Sequence, residues 1–163
     1  MRAGAKNEHH HATVWQLRGF SLIELLVTLG IVAILAGIAI PAYTSYVKNA
    51  KLKDAAALLT QASALLEKRY LDDRNYGLCA AGEDANACPC NIPAISDKNF
   101  KIECTLDGNG YKLLASNLGN TGLGAAGDYE YTLNNAGLRT TKTLAGKPTS
   151  EKSCWLLGED AVC

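Results

Sequence analysis

The chain has 163 residues and balances 16 basic against 16 acidic side chains, so its length suits one modest domain and its net charge gives no general attraction to nucleic acid. Histidine is absent after His11, and the sequence shows neither paired carboxylates nor a phosphate-binding loop. Because a nucleophilic enzyme needs a base beside its nucleophile, we expect a protein that is not an enzyme and that has no cofactor and no metal site.

The chain opens with a short basic leader that is followed by a long apolar run. Arg2, Lys6 and Arg18 stand against the single acid Glu8, and residues 25–47 contain no charged side chain. At 1.5 Å per residue such a run crosses a bilayer core of about 30 Å as a helix. The basic leader favours a cytoplasmic position for the N-terminus, with the rest of the chain translocated.

The junction between leader and apolar run carries a specific motif. Residues 19–24 read Gly-Phe-Ser-Leu-Ile-Glu, which resembles the processing site of type IV pilins and related pseudopilins. The resemblance implies that a membrane peptidase cuts after Gly19, so that residues 1–19 are a cleaved leader. It also implies that the same enzyme methylates the new N-terminal amine on Phe20.

Glu24 is the one acidic residue at the start of the apolar run. A carboxylate in hydrocarbon costs on the order of 3 kcal/mol, so it needs a partner of opposite charge. The amine of Phe20 lies four residues earlier, and within one helix it is spaced to face Glu24. Between two chains the same pair would set the axial register of a helical assembly, which makes Glu24 the predicted assembly residue.

Small residues and a proline interrupt the apolar run at Gly30, Gly37 and Pro41. Small residues let membrane helices approach closely, and Pro41 removes one helical hydrogen bond and kinks or loosens the preceding turn. The resemblance implies local unwinding of this stretch when the helix packs into a filament. Ordinary kinks of a membrane helix are the alternative interpretation.

The helix is predicted to continue well beyond the apolar run, over residues 20–71. Tyrosines and then lysines come first, as in the belt of residues at a membrane interface. Apolar positions spaced by three and four follow, and they predict one face packed on a core: Leu52, Ala55, Leu59, Ala62, Leu66 and Tyr70. We therefore divide the chain into the leader, a transmembrane and assembly half at residues 20–47, and a soluble head at residues 48–163.

Strand-like runs follow a loop over residues 78–99. They cover residues 100–106, 111–116, 129–133 and 138–143, with turn sequences between neighbouring runs. The predicted fold class is α+β, with a long N-terminal helix packed on three or four antiparallel strands, as in pilins.

All six cysteines follow the apolar run, which is typical of an oxidising compartment. Zinc is disfavoured because the paired Cys-x2-Cys spacing is missing. Cys154 and Cys163 would close a ten-residue loop that resembles the C-terminal disulfide-bounded loop of type IV pilins. For the other four several pairings stay open, and we choose Cys79 with Cys88 and Cys90 with Cys104, since a Cys88–Cys90 bridge would be strained.

The resemblance implies a structural subunit of a type IV pilus that supports adhesion, motility or DNA uptake. Its implied partners are other pilin subunits, the prepilin peptidase and methyltransferase, and an assembly platform in the inner membrane. The precursor would sit in that membrane with its head in the periplasm and then move into a cell-surface pilus.

Two alternatives use the same anchor. One is a pseudopilin of a type II secretion system. The other is a minor pilin whose head binds DNA or a surface. A mildly positive tail segment, in which Glu151 is the one opposing acid, could serve such binding. Its basic residues are Arg139, Lys142, Lys147 and Lys152. Six cysteines and a long leader favour a minor or atypical subunit over an abundant one.

Overall fold

The computed structural model of this chain describes residues 19–77, 89–90, 92–107, 110–158 and 161–163. Residue contacts divide the chain into two units, Met1–Ile40 and Pro41–Cys163. One helix and five strands follow in chain order: α1 (Leu22–Asp73), β1 (Phe100–Asp107), β2 (Gly110–Asn117), β3 (Glu130–Asn134), β4 (Arg139–Leu144) and β5 (Lys147–Lys152).

Helix α1 has nearly the predicted bounds. It begins directly after Ser21, whose carbonyl oxygen accepts a hydrogen bond from the Leu25 N–H at 3.2 Å. The helix continues through Gly30, Gly37 and Pro41. At the other end Arg74 takes a φ of 54° and donates its N–H to the Tyr70 carbonyl at 2.9 Å. A left-handed residue at this position satisfies a terminal carbonyl and ends the helix.

In the second unit, one face of α1 is completely buried. The five residues without exposed surface are Leu52, Ala55, Leu59, Ala62 and Leu66. Their spacing of three and four puts them on a single stripe, as the sequence predicted. Tyr70, the last residue of the predicted stripe, is half-buried. The stripe belongs to the same apolar core as the inner face of the sheet.

The sheet is an antiparallel meander in the order β1-β2-β3-β4-β5. Strand β2 is paired on both sides, because Ala115 lies opposite Ile102 of β1 and opposite Tyr131 of β3. Alternate residues point inward, and the buried inner face carries Phe100, Tyr111, Leu113, Tyr131 and Leu133. The α+β class is confirmed, with a long helix packed on an antiparallel sheet.

The predicted strand count of three or four is wrong, because β5 is a fifth strand. It lies in the tail, where Lys-Pro-Thr-Ser-Glu-Lys shows no apolar alternation. Its register comes from backbone pairing at an edge position, where proline is tolerated. Ala145 and Gly146 form the two-residue turn before it with φ values of 52° and 74°. Alanine seldom takes such a φ, so the turn gave no signal in the sequence.

Two disulfides tie the described part of the head together. Cys90 is bonded to Cys104 of β1, and Cys154 is bonded to Cys163, with Cα atoms 6.0 and 5.8 Å apart. Both are pairs that we chose from the sequence. The chosen partners Cys79 and Cys88 lie outside the described residues.

Candidate functional site

The first unit presents a continuous apolar surface. Its large hydrophobic side chains from Leu22 to Ile40 are each between 53% and 75% exposed. An 18-residue window of α1 has a mean hydropathy of 2.6 and is not buried at all, so by length and composition the helix can cross a membrane. A soluble monomer rarely shows so large an apolar surface, which therefore needs lipid or other helices to cover it.

The predicted processing motif lies at the start of this surface. Phe20 is 83% exposed and precedes the first helical residue by two positions. Glu24 is exposed in the first turn of α1, where the positive end of the helix dipole favours an anion. The arrangement leaves the Glu24 carboxylate accessible to a positive group from outside the chain.

Both glycines of the apolar run are open to approach. Apart from the adjoining turns of the helix backbone, a Cβ atom built at Gly30 or at Gly37 would meet no atom of the described residues within 4 Å. Packing within the described part of the chain therefore does not require glycine at these two positions. Their small size instead leaves shallow sites where another helix can come close.

The predicted basic segment maps onto the last two strands of the head. Lys142 of β4 forms an ion pair with Glu130 of β3, with 3.0 Å between Nζ and Oε2. Burial by itself raises the pKa of Glu130. The hydrogen bond and positive charge of Lys142 have the opposite effect, as do hydrogen bonds from Thr143 and Ser116. Together they outweigh burial, so the pKa of Glu130 lies below its ordinary value. The positive charge of Lys142 is thus paired with a carboxylate of the neighbouring strand.

Arg139 and Trp155 form a second contact in this region. The Arg139 guanidinium lies over the Trp155 ring at 4.8 Å from the ring centroid. The indole N–H of Trp155 donates to the Thr132 carbonyl oxygen at 2.9 Å. Trp155 therefore packs the C-terminal loop against the sheet.

Further hydrogen bonds fix the cysteine-bounded loop onto β3 and β4. The buried Thr141 hydroxyl donates to the Cys154 carbonyl at 2.8 Å and accepts the Leu156 N–H at 2.9 Å. The Tyr131 hydroxyl donates to the Leu156 carbonyl at 2.9 Å, and burial raises the pKa of Tyr131. The start of the loop is thus part of the folded head.

Two polar side chains hold the glycine-rich connection and were not predicted from the sequence. Buried Asn117 holds the glycine-rich connection before β3, because its amide donates to the Ala125 carbonyl and accepts the Tyr129 N–H, both at 2.8 Å. Lys51 of α1 donates to the Thr121 carbonyl in the same connection at 2.6 Å. These partners are distant in the chain or irregular in pattern, so no local motif indicates them.

Two family models match adjoining parts of the chain. Residues 41–126, just over half of the chain, match the model described as "Type IV minor pilin ComP, DNA uptake sequence receptor". The chain belongs to the type IV pilin family. Residues 18–40 match the model described as "Prokaryotic N-terminal methylation motif". Type IV pilins are structural proteins rather than enzymes.

Individual pilins are similar over varying lengths. A type IV major fimbrial protein FimA of Dichelobacter nodosus is 31% identical over 122 residues, which is 68% of this chain and 70% of that protein. The prepilin peptidase-dependent protein D of Escherichia coli is 35% identical over 48% of this chain and 54% of its own length. For the type IV major pilin PilE1 of Neisseria gonorrhoeae the identity is 30%, over 53% of this chain and 48% of PilE1. The chain thus matches about half the length of these last two relatives.

One solved structure that is similar to this chain is the Neisseria meningitidis non-core minor pilin PilV. The two chains are 17% identical in sequence and superpose with a TM-score of 0.43, and the match covers 68% of this chain and 96% of the PilV chain.

Proposed function

We propose that this protein is a structural subunit of a type IV pilus, made as a membrane-anchored precursor and polymerised through the apolar part of α1. The observation that carries the proposal is the exposed apolar surface over residues 22–40, which lies within the stretch that matches the methylation motif. Burying such a surface against other copies is strongly favourable once the helix leaves lipid.

Each predicted residue has a defined role in this proposal. The peptidase cuts after Gly19, and Phe20 becomes the methylated N-terminus. The amine of Phe20 pairs with Glu24, within the chain or across two subunits. Gly30, Gly37 and Pro41 allow close packing and local unwinding in the filament. Residues 20–47 are the assembly half and residues 48–163 the head.

The proposed location follows from the anchor and the disulfides. The precursor sits in the inner membrane, where the prepilin peptidase and methyltransferase and the assembly platform act on it, and the head faces the periplasm. Disulfides such as Cys90–Cys104 and Cys154–Cys163 persist in an oxidising compartment of that kind. The mature subunit then belongs to a surface pilus.

Replacing Glu24 tests the assembly mechanism directly. A Glu24→Ala subunit keeps Gly19 and Phe20, so it is still cut, but its filaments are reduced at least about tenfold because the amine has lost its partner charge. Glu103→Ala, which removes an exposed acid from β1 of the head, serves as the matched control and keeps normal filament yield. Sheared filaments are quantified by immunoblot, and normal yield from Glu24→Ala would refute the proposed pairing.

A second function, binding of duplex DNA by the head, is favoured by one specific observation. The family model that matches residues 41–126 describes a DNA uptake sequence receptor. Exposed cations on the last two strands, Arg139 of β4 and Lys147 of β5, are available for phosphate contacts. Backbone contacts of this kind give sequence-independent affinity that falls with salt.

Salt titration of the full chain in neutral detergent tests this second function. Affinity for a short duplex should fall as salt rises, and Lys147→Gln should reduce the slope by about one if that lysine contacts a phosphate. Lys68→Gln, on the exposed face of α1, is the charge-matched control. If no duplex binds even at low salt, the receptor function fails while the assembly function stands.

A further inference from the structure

A small groove lies between α1 and the glycine-rich connection of the head. We define it as the lysine groove, with a volume of about 210 Å³ and a lining of Tyr43, Thr44, Val47, Lys48, Lys51 and Gly122. We propose that the lysine groove binds the phosphate of an anionic lipid headgroup while the subunit waits in the membrane. The inference rests on the membrane anchoring that forms part of the proposed function.

Lys51 is the cation that the groove positions. Its ammonium donates to the Thr121 carbonyl oxygen at 2.6 Å, which fixes the end of an otherwise flexible side chain. An ammonium has three N–H donors, and within the described part of the chain one of them is used by Thr121, which leaves two for phosphate oxygens. The charge is thus held in place before a ligand arrives, which reduces the entropy lost on binding.

Gly122 lets the loop backbone pass beside this ammonium. A Cβ atom at Gly122 would lie 3.3 Å from the Lys51 Nζ, and the glycine φ is +77°. A side chain at this position would be strained and would crowd the ammonium. The glycine therefore keeps the approach to Lys51 open.

The charge of the groove suits an anion. Among its described lining residues two are lysines and none is a carboxylate. Lys48 also lies over the Tyr129 ring, 5.4 Å from the ring centroid. The nearest acid along the helix, Asp54, accepts a hydrogen bond from the Asn99 side chain at 3.0 Å and does not line the groove.

The place of the groove in the sequence favours a lipid as the source of the phosphate. Tyr43 and Tyr46 are 68% and 73% exposed and follow the apolar residues 22–40 on the same helix. Tyrosines concentrate at the headgroup level of a bilayer, and a lysine close behind them in the helix can pair with a lipid phosphate at that level. The volume is below the roughly 300–1,000 Å³ of small-molecule pockets, which suits a headgroup fragment better than a complete cofactor.

Lipid titration of the full chain in nonionic detergent tests the proposal by native mass spectrometry. Phosphatidylglycerol and phosphatidylcholine with identical acyl chains are the two probes. We expect one phosphatidylglycerol per chain, bound at least about fivefold more tightly than phosphatidylcholine. Lys51→Gln should weaken phosphatidylglycerol binding about fivefold, as expected for one cation near an anionic headgroup.

Lys53→Gln is the matched control, because it removes the same charge two residues away on an exposed side of α1 that does not line the groove. It should change binding less than twofold. Lys51→Arg keeps both charge and donors and should restore binding, and circular dichroism establishes that each variant is folded.

Four outcomes would overturn the proposal. Equal binding of the two lipids would remove headgroup selectivity, and equal loss in Lys51→Gln and Lys53→Gln would indicate a general surface attraction. Displacement of the lipid by millimolar inorganic phosphate would identify a free-phosphate site, and displacement by a short duplex would identify DNA. None of these outcomes bears on filament yield, so the assembly proposal stands or falls separately.

Discussion

Single polar side chains join the helix to the sheet in this head. Tyr111 of β2 is buried, and its hydroxyl makes hydrogen bonds with Ser63 at 2.9 Å and with Glu67 at 3.0 Å on α1. Tyr76 packs edge-on against its ring at 4.9 Å between centroids. Burial raises the pKa of Tyr111 to about 12, with the Glu67 contact adding to the shift and the Ser63 hydrogen bond opposing it. The neutral hydroxyl is therefore part of the folded state.

Removing the Tyr111 hydroxyl should cost stability and change its pH dependence. Tyr111→Phe should lower the free energy of unfolding by about 1 kcal/mol at pH 7, because Ser63 and Glu67 lose a partner. Tyrosine in the unfolded chain ionises near pH 10, whereas Tyr111 in the folded chain resists ionisation until about pH 12. Its contribution is thus complete below pH 10 and is lost as the pH rises through that interval.

Thermal unfolding of the full chain in detergent between pH 7 and pH 11.5 measures both effects. The alkaline decline should be shallower in Tyr111→Phe than in the parent protein. Tyr46→Phe, which removes the hydroxyl of a 73% exposed tyrosine, should leave the free energy of unfolding at pH 7 unchanged. An identical alkaline decline in Tyr111→Phe and parent would contradict the assigned pKa.

Among the secondary-structure elements, those with a local periodic pattern of apolar residues could be predicted from the sequence. The spacing of Leu52, Ala55, Leu59, Ala62 and Leu66 predicted the buried face of α1, and strand-like runs separated by turn sequences predicted β1 to β4. Strand β5 could not be predicted, because an edge strand is held by backbone pairing and needs no apolar face.

The candidate functional residues also fall into those that a local sequence pattern predicts and those that only the fold brings together. Residues 19–24 form a linear motif and were therefore readable without a structure. The contacts of Lys51 with Thr121 and of Arg139 with Trp155 join residues distant in the chain. They exist because the fold brings separate segments together, and no local pattern encodes that.

The buried face of α1 should carry much of the stability of the head. Leu59→Ala removes a side chain with no exposed surface, so it should lower the free energy of unfolding by about 2–5 kcal/mol through lost burial and the cavity left behind. Gln61→Ala, two residues away on the exposed side, should change it by less than about 0.5 kcal/mol. Hydrogen exchange of β2 amides measures both, and equal effects would contradict the assigned packing.

The disulfide between Cys90 and Cys104 anchors the segment before β1. The two cysteines are separated by 14 positions, and a loop of this size contributes about 3 kcal/mol in the chain-entropy account. The double variant Cys90→Ser, Cys104→Ser should therefore unfold at lower temperature than the parent. In the parent, a reducing agent should produce a decrease at least as large, because it opens Cys154–Cys163 as well. An unchanged transition in the double variant would show that the Cys90–Cys104 bridge does not limit stability.

At the scale of the whole molecule, the two units have opposite relations to solvent. The described residues up to Ile40 expose their apolar side chains, whereas those of the second unit enclose a core of helix and sheet residues. The second unit thus has a core of its own, whereas the apolar part of α1 needs lipid or other subunits to cover it. Family membership and surface chemistry therefore point to the same role in assembly.

The most direct test of that role is the mass of the N-terminal peptide of this protein in filaments sheared from cells. We predict that the protein is present in the sheared fraction and that its N-terminal peptide begins at Phe20 and carries one added methyl group. Recovery of the protein only from the membrane fraction, with the leader still joined through Gly19, would contradict a role in filament assembly.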